Sequence, residues 1–278
     1  MKGHKRAAEH QAVPFDGQYP LVVPVMSAAG GVGRSTVAAQ LAVALHRHTA
    51  DSKNRAVAVC DSQPRCASPW PSWLDHTAEH GTSWLTACTA EQFSREMRRS
   101  TSAIDMADGK PLWVLTDTGP LAPGFVGAEP GPAAWQPVLR YLRAAVIDAD
   151  PLEGFRLARQ QAGGGLSTAA AWMALPSART AAVWVTDISP VGLSRTLDAL
   201  TIAESCGLPM RQVVVAISDG RGYGWLPRSR SRRDVAALVS AVLEAAAQPS
   251  TSLDAVVTPA YTERTPWHVA ARAVRASS

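Results

Sequence analysis

The sequence is poor in cysteine and contains no apolar run long enough to cross a membrane. Its four cysteines, Cys60, Cys66, Cys88 and Cys206, lie far apart and form no CxxC pair. This spacing argues against a zinc site and a disulfide framework, and it fits a reducing compartment. A membrane helix needs roughly 18 consecutive apolar residues, and no stretch of the chain offers them. We therefore expect a cytoplasmic protein without integral membrane association.

Charged residues are also sparse, at 18% of the 278 residues, and the formal net charge is +4. So mild an excess is compatible with nucleic acid as a partner but does not require it. One basic run is more distinctive and consists of Arg228, Arg230, Arg232 and Arg233. Runs of this kind are more often solvated loops than DNA-binding surfaces. Both interpretations stay open, and non-specific DNA is a candidate partner of these arginines.

What the sequence does have is a regular alternation of apolar, strand-like runs with stretches of helical periodicity, from Leu21 almost to the end. This alternation predicts an α/β fold, with a doubly wound, mostly parallel sheet flanked by helices on both faces. Neither an internal repeat nor a linker interrupts it. We expect residues 1–20 to form a flexible N-terminal arm and residues 21–278 to form a single domain.

Periodicity and turn signals place the individual elements. The first strand, Leu21–Met26, contains Pro24, which has no N–H for a central ladder, so we expect a local bulge there. The first helix begins near Arg34, and the second strand, Ala56–Cys60, ends at Asp61. The stretch PLWVLTDTGPLAP gives the third predicted strand, and the later predicted strands are AAVIDAD, TAAVWVTD, QVVVAISDG and LDAVVTPAY. The other predicted helices are AWQPVLRYLR, a helix capped by Ser189 with Leu193, Leu197 and Leu200 facing inward, a helix capped by Asp234, and a short tail helix in PWHVAARAVRASS.

A glycine-rich loop lies between the first strand and the first helix, an arrangement that binds phosphate. Glycines let the backbone curl so that successive N–H groups point into one concavity, and the helix N-terminus adds partial positive charge. We therefore predict a nucleotide-binding loop. Its predicted binding residues are Gly30, Gly31, Val32, Gly33, Arg34, Ser35 and Thr36.

Two side chains of this loop have predicted roles of their own. In a P-loop the basic residue after the last glycine reaches the terminal phosphates, and the hydroxyl that follows it is a ligand of Mg²⁺. These positions are Arg34 and Ser35. The strict pattern GxxxxGK[ST] is not met, because Ala28 stands at the first glycine and Arg34 at the lysine.

The stretch SAAGGVGRSTVAAQLAVAL resembles the deviant P-loop, KGGxGK[ST], of the ParA/MinD family of ATPases. RAVAVCDSQPR, LWVLTDTGPLAP and LRAAVIDADP resemble, in order, that family's second strand, a proline loop and the Walker B strand. The resemblance, from Leu21 to Tyr261, implies a P-loop NTPase fold with ATP and Mg²⁺ as cofactors. It implies that Ser35 and Asp148 hold the Mg²⁺, with Asp117 as the alternative to Asp148. It also implies a nucleotide-dependent homodimer and a role in positioning or partition.

Three positions depart from the pattern of that family. Its signature lysine is Ala29 here, and its P-loop lysine is Arg34. If Asp61 is the first acid of its Asp-x-Asp pair, the second is Gln63; if Asp61 is the second acid, the first is missing, so one carboxylate is absent in either case. Arginine and lysine are not interchangeable at such a site, and a missing charge-stabilising or water-orienting group typically slows phosphoryl transfer by about 10³- to 10⁵-fold. Arg34 and Asp61 are the remaining candidates for a catalytic role.

These departures favour a Mg-ATP-dependent dimerisation switch or regulator with weak or absent hydrolysis. The alternative is an active ATPase that positions or partitions DNA or another cargo. The sequence identifies neither the partner protein nor the cargo.

Overall fold

The computed structural model describes residues 19–49, 56–63, 65–87, 89–119, 122–123, 132, 139, 141–150, 153–175, 178–218, 231–247, 259–260 and 267–271. The strands within these ranges are β1 (Leu21–Ser27), β2 (Ala56–Asp61), β3 (Ser102–Ile104), β4 (Leu112–Leu115), β5 (Leu142–Asp148), β6 (Arg179–Thr180), β7 (Ala182–Asp187), β8 (Val213–Ser218), β9 (Pro259–Ala260) and β10 (Trp267–Ala271). The α-helices are α1 (Arg34–His48), α2 (Ser83–Ala87), α3 (Ala90–Arg99), α4 (Glu153–Gln161), α5 (Thr168–Met173), α6 (Pro190–Ser205) and α7 (Ser231–Ala247).

These strands form one sheet in the order β3-β4-β2-β5-β1-β7-β8-β10-β9, and β6 also pairs with β1. The six strands from β4 to β8 are parallel. The outer strands β3 and β10 are antiparallel to their inner neighbours. In the sheet, β2 to β5 lie on one side of β1, and β7 and β8 lie on the other side. The predicted doubly wound, mostly parallel α/β fold is confirmed.

Strand β1 is buried on both faces, which is why its residues from Leu21 to Met26 are apolar. Leu21, Val23 and Val25 pack in one cluster with α1 and α7. Val22 and Met26 point to the other face, where α2, α3, α4, α5 and α6 contribute the neighbours. Side chains alternate between faces along a strand, and a parallel sheet covered on both faces needs apolar residues at every position. The loop that follows β1 is therefore anchored to the centre of the core.

The predicted bulge at Pro24 is wrong. Pro24 pairs in register with Ile147 of β5, without a shift along β1. On its other side, β1 pairs with β6 at Leu21 and Val22 and resumes with β7 at Val25. Pro24 thus lies between two paired segments, where the missing N–H disturbs the ladder least.

Helix α6 begins as predicted, because the Ser189 side chain caps it. The predicted inward face is wrong in part: Leu200 is 6% exposed, whereas Leu193 is 37% and Leu197 is 47% exposed. At 100° per residue the leucines lie at the edge of the buried face, and its centre consists of smaller residues such as Ala203. Small side chains let the helix lie close to the sheet.

The predicted tail helix is also wrong. Residues Trp267–Ala271 form β10, which pairs with β8. Without β10, that edge of β8 would present unpaired backbone N–H and C=O groups, which a helix lying beside it could not pair. Helix α7 begins at Ser231, so Asp234 lies inside the helix and does not precede it. Of the predicted strand LDAVVTPAY, the described residues include β9.

The region between β2 and β5 contains elements that the sequence patterns did not indicate. These are the antiparallel strand β3 and the helices α2 and α3. The predicted helix AWQPVLRYLR and the N-terminal arm lie mainly outside the described residues, and Leu142 and Arg143 of that predicted helix belong to β5. Among the helices of the described ranges, none combines the length and apolar character that a bilayer crossing demands.

Candidate functional site

The loop between β1 and α1 adopts a conformation that glycine adopts readily and other residues rarely do. Gly31 has a φ of 78° and Gly33 a φ of 83°, in the left-handed region where a Cβ is strained. Gly33 is also the N-cap of α1, and no side chain caps this helix within the described structure. A Cβ added at Gly30 or Gly31 would meet no atom within 4 Å. This side of the loop is therefore open.

The backbone N–H groups of the loop have no partner within the described part of the chain. The first hydrogen bond at the start of α1 runs from the Val37 N–H to the Gly33 carbonyl, at 3.0 Å. For Gly30–Thr36, the described residues provide no acceptor to a backbone N–H. The first turn of α1 also has no acidic side chain. Such a run of donors at the positive end of a helix dipole suits an anion such as phosphate.

The Arg34 side chain turns inward, beneath the loop, and is only 7% exposed. Its Nε donates to Asp148 Oδ1 at 2.9 Å. Its Nη2 donates to Gln63 Oε1 at 2.6 Å, and its Nη1 lies 3.5 Å from Ser27 Oγ. The guanidinium thus forms a buried ion pair and points toward the end of β5.

Asp148 ends β5, the strand beside β1, and its side chain is fully buried. While Oδ1 accepts from Arg34, Oδ2 accepts from Gln63 Nε2 at 2.6 Å and from Trp70 Nε1 at 2.8 Å. All three donors come from segments distant in sequence. A buried carboxylate is tolerated when it is paired and hydrogen-bonded in this way.

Arg34, Ser35, Gln63, Trp70 and Asp148 form a cluster below the loop, and Gln63 connects its members. Its Oε1 accepts from Arg34, while its Nε2 donates to Asp148 and lies 3.0 Å from Ser35 Oγ. An amide can do both, because it carries an acceptor and two donors. A carboxylate at this position could accept from Arg34 but would face Asp148 with a like charge. The residue that departs from the family pattern therefore matches its surroundings.

Asp61 lies beside Asp148 in register on β2 and is 5% exposed. Its Oδ2 accepts from Ser68 Oγ at 2.5 Å and from Thr116 Oγ1 at 2.6 Å. Burial, and then the charge of Asp148, raise the pKa of Asp61 to about 7, while hydrogen bonds to the carboxylate, including one from the Gln63 N–H, oppose the rise. Asp61 is therefore protonated in a large fraction of molecules near neutral pH. Its Oδ1 accepts from the Gln63 N–H at 3.0 Å, and within the described residues it makes no hydrogen bond or ion pair with Arg34.

The arrangement around Asp148 does not fit a Mg²⁺ ion. Mg²⁺ takes oxygen ligands in octahedral geometry and keeps several waters. Here Asp148 is 0% exposed, and both of its oxygens accept from nitrogen donors. The guanidinium of Arg34 already supplies positive charge at 2.9 Å. The other predicted ligand, Ser35, accepts a hydrogen bond from Gln63.

The remaining predicted site residues lie elsewhere. Asp117, the alternative to Asp148, accepts from the Ser83 N–H at 3.0 Å and lies beside Gly81. Arg228 and Arg230 lie outside the described residues, and Arg232 and Arg233 belong to the first turn of α7.

Sequence reasoning missed the contribution of Trp70 to this cluster and those of Ser68 and Thr116 to the surroundings of Asp61. Trp70 lies in a short 3₁₀-helix within the Pro-, Ser- and Trp-rich stretch after β2 and is fully buried. The two tryptophans of this stretch, Trp70 and Trp73, were the available signal, because large aromatic side chains are often anchored in the core.

Comparison with known proteins finds similarity in three-dimensional structure alone. No protein-family model matches the chain, and no curated protein matches it. The crystal structure of a ParA family ATPase from Chlorobium tepidum TLS is 13% identical, with a TM-score of 0.47 over 84% of this chain and 95% of that chain. A chain of the MinC:MinD cell division protein complex from Aquifex aeolicus is 14% identical, with a TM-score of 0.42 over 70% of this chain and 67% of that one. At these values we transfer neither an activity nor a site residue.

Proposed function

We propose that this protein is a nucleotide-binding regulator of the P-loop type, which holds the phosphates of ATP on Gly30–Thr36 and hydrolyses ATP slowly or not at all. The observation that carries the proposal is the run of backbone N–H groups, without an acceptor among the described residues, at the start of α1. Hydrogen bonds from such groups to a charged oxygen are roughly twice as strong as neutral ones. ATP is named because the loop sequence resembles that of the ParA/MinD ATPases.

The position of the loop in the sheet supports the same proposal. Ligands of doubly wound α/β proteins bind beyond the carboxyl ends of the strands, where the strand order reverses. Strand β1 is that point, with β5 on one side and β7 on the other. The loop follows the carboxyl end of β1 directly.

Slow or absent hydrolysis follows from the side chains around the loop. Ala29 offers no charge to a phosphate, and Arg34 donates to Asp148. Gln63, at the position of a water-orienting acid, has both ends of its amide in hydrogen bonds with protein groups. Each lost contribution of this kind lowers phosphoryl transfer by about 10³- to 10⁵-fold. Phosphate binding by backbone N–H groups needs none of these side chains.

For the partner we propose a second copy of this chain, joined when nucleotide is bound. Phe155, Ile188 and Val191 are 63%, 57% and 59% exposed. Ile188 directly follows β7, the neighbour of β1. Phe155 follows Gly154, where an added Cβ would lie 3.9 Å from Ala28 Cα of the loop. Exposed apolar groups often mark interaction sites. These three lie near the carboxyl ends of the central strands, where the loop also lies.

The experiment is a calorimetric titration of ATP into the wild-type protein, Gly33→Val and Gly163→Val. Gly33 and Gly163 have nearly equal φ values, 83° and 84°, so the two variants impose similar backbone strain, but Gly163 lies at the end of α4, away from the loop. We expect Gly33→Val to weaken ATP binding at least about tenfold, which is about 1.4 kcal/mol. Gly163→Val should bind as the wild type does.

Size-exclusion chromatography with and without ATP, with released phosphate measured in the same samples, completes the test. Dimerisation without phosphate release supports the regulator, whereas steady release identifies an active ATPase. A wild-type protein that does not bind ATP at millimolar concentration rejects the proposed function.

A further inference from the structure

We propose that Arg34 is the resident cation of this site, in the place that a divalent metal would hold at Asp148, so that the loop binds phosphates without a metal ion. The proposal that phosphates bind without a metal ion rests on the function proposed above. The proposal that Arg34 is the cation at Asp148 does not depend on that function.

The side chains that contact Asp148 present nitrogen donors to it. Its carboxylate accepts from a guanidinium, an indole N–H and an amide NH₂, contributed by Arg34, Trp70 and Gln63. The guanidinium and the indole N–H are donors only and cannot be metal ligands. The amide is held in one orientation, because a reversed amide would turn its oxygen toward Asp148 and its NH₂ toward Arg34. The groups that reach this carboxylate thus serve an anion and not a metal.

The charge of Arg34 also disfavours a divalent ion at Asp148. The Arg34 guanidinium and the Asp148 carboxylate lie 2.9 Å apart, with exposures of 7% and 0%. Charges interact strongly in such a poorly solvated place, so a divalent ion entering beside Asp148 would be repelled by Arg34. Arginine also stays charged under all ordinary conditions, which a lysine in a buried site need not do. The site therefore holds one permanent positive charge.

The backbone N–H groups of the loop and the Arg34 side chain serve different partners. The N–H groups of Gly30–Thr36 have no acceptor among the described residues, and an added Cβ at Gly30 or Gly31 would meet nothing within 4 Å. Arg34 leaves from the same loop on its inner side, toward Asp148 and Gln63. Phosphates can therefore occupy the open side of the loop while the Arg34–Asp148 ion pair beneath it stays intact.

Thermal unfolding without nucleotide tests whether Arg34 is the cation at Asp148. The wild-type protein, Arg34→Ala and Arg34→Lys are compared in EDTA and in millimolar Mn²⁺, with Arg47→Ala on the exposed end of the same helix as the control. We expect Mn²⁺ to leave the Tm of the wild type and of Arg47→Ala unchanged. Arg34→Ala should have a lower Tm in EDTA, by several degrees, and Mn²⁺ should recover part of that loss. The Tm of Arg34→Lys, which keeps a cation, should lie between those of the wild type and of Arg34→Ala. If Arg34→Ala does not fold, Arg34→Lys takes its place in the comparison.

Calorimetric titration of ATP into the wild-type protein in EDTA and in Mg²⁺ tests whether the loop binds phosphates without a metal ion. We expect the two Kd values to agree within about twofold, since no metal takes part in binding. A Kd more than about tenfold weaker in EDTA overturns the inference.

The two experiments separate the inference from the proposed function. If ATP binds under neither condition, the proposed function fails, while the Tm values still decide whether Arg34 is the resident cation. Equal responses of the wild type and the Arg34 variants to Mn²⁺, including no response in any of them, overturn that assignment.

Discussion

The two carboxylates at the ends of β2 and β5 give this protein a distinctive pH dependence of stability. Burial, followed by the charge of Asp148, raises the pKa of Asp61 to about 7 in the folded state. In an unfolded chain an aspartate has a pKa of about 3.9. The folded protein therefore holds a proton that the unfolded chain releases. The stability that this proton contributes is fully present below about pH 4 and is lost as the pH rises through 7.

The size of the effect follows from the difference between these two pKa values. It corresponds to about 4 kcal/mol in total, at about 1.36 kcal/mol for each pKa unit. Integration over pH places roughly 2.5 kcal/mol of this between pH 5 and pH 8. Asp61 is only 5% exposed, so solvent does little to screen the effect.

The perturbation is Asp61→Asn, which keeps the size of the side chain but removes its titration. The Ser68 and Thr116 hydroxyls that donate to Asp61 can rotate to accept from an amide NH₂. Urea unfolding is measured at pH 5 and pH 8 for the wild type, for this variant, and for Asp198→Asn on the exposed surface of α6 as the control.

We expect the wild type to lose roughly 2.5 kcal/mol relative to Asp61→Asn between these two pH values. The control should follow the wild type. Parallel profiles of the wild type and Asp61→Asn would refute the argument, because Asp61 would then titrate alike in the folded and unfolded states.

Three further outcomes can be measured by the same unfolding method. Trp70→Phe keeps a ring but removes the N–H that donates to Asp148 at 2.8 Å; we expect a loss of about 1–3 kcal/mol, and an unchanged stability would contradict the role of the indole. Leu200→Ala should lose about 2–4 kcal/mol because Leu200 is buried. Leu197→Ala, on the exposed side of the same helix, should lose less than about 0.5 kcal/mol, and equal losses would contradict the assignment of the faces. Ser189→Ala removes the cap of α6, for an expected loss of about 1 kcal/mol, and a neutral result would show that the cap is dispensable.

Local patterns were sufficient to predict the parallel centre of the sheet and the glycine-rich turn after β1. The apolar run of β1, the glycines after it and the cap at Ser189 are signals carried by neighbours in sequence, and the structure has the corresponding strand, turn and helix. Backbone conformation responds first to such local preferences, and the double burial of parallel strands makes them apolar without interruption. The same reasoning failed where an element depends on a distant one, as for β10, which exists as a partner of β8.

The surroundings of Asp148 were decided by the tertiary structure alone. Arg34, Gln63 and Trp70 are 114, 85 and 78 positions away from it in the chain. They meet there because the parallel order of β2, β5 and β1 brings the carboxyl ends of these strands to one edge of the sheet. No local pattern encodes the direction in which a long, charged side chain points. That Arg34 turns inward to Asp148 depends on which charges the fold has already buried there, and this follows from strand order and register.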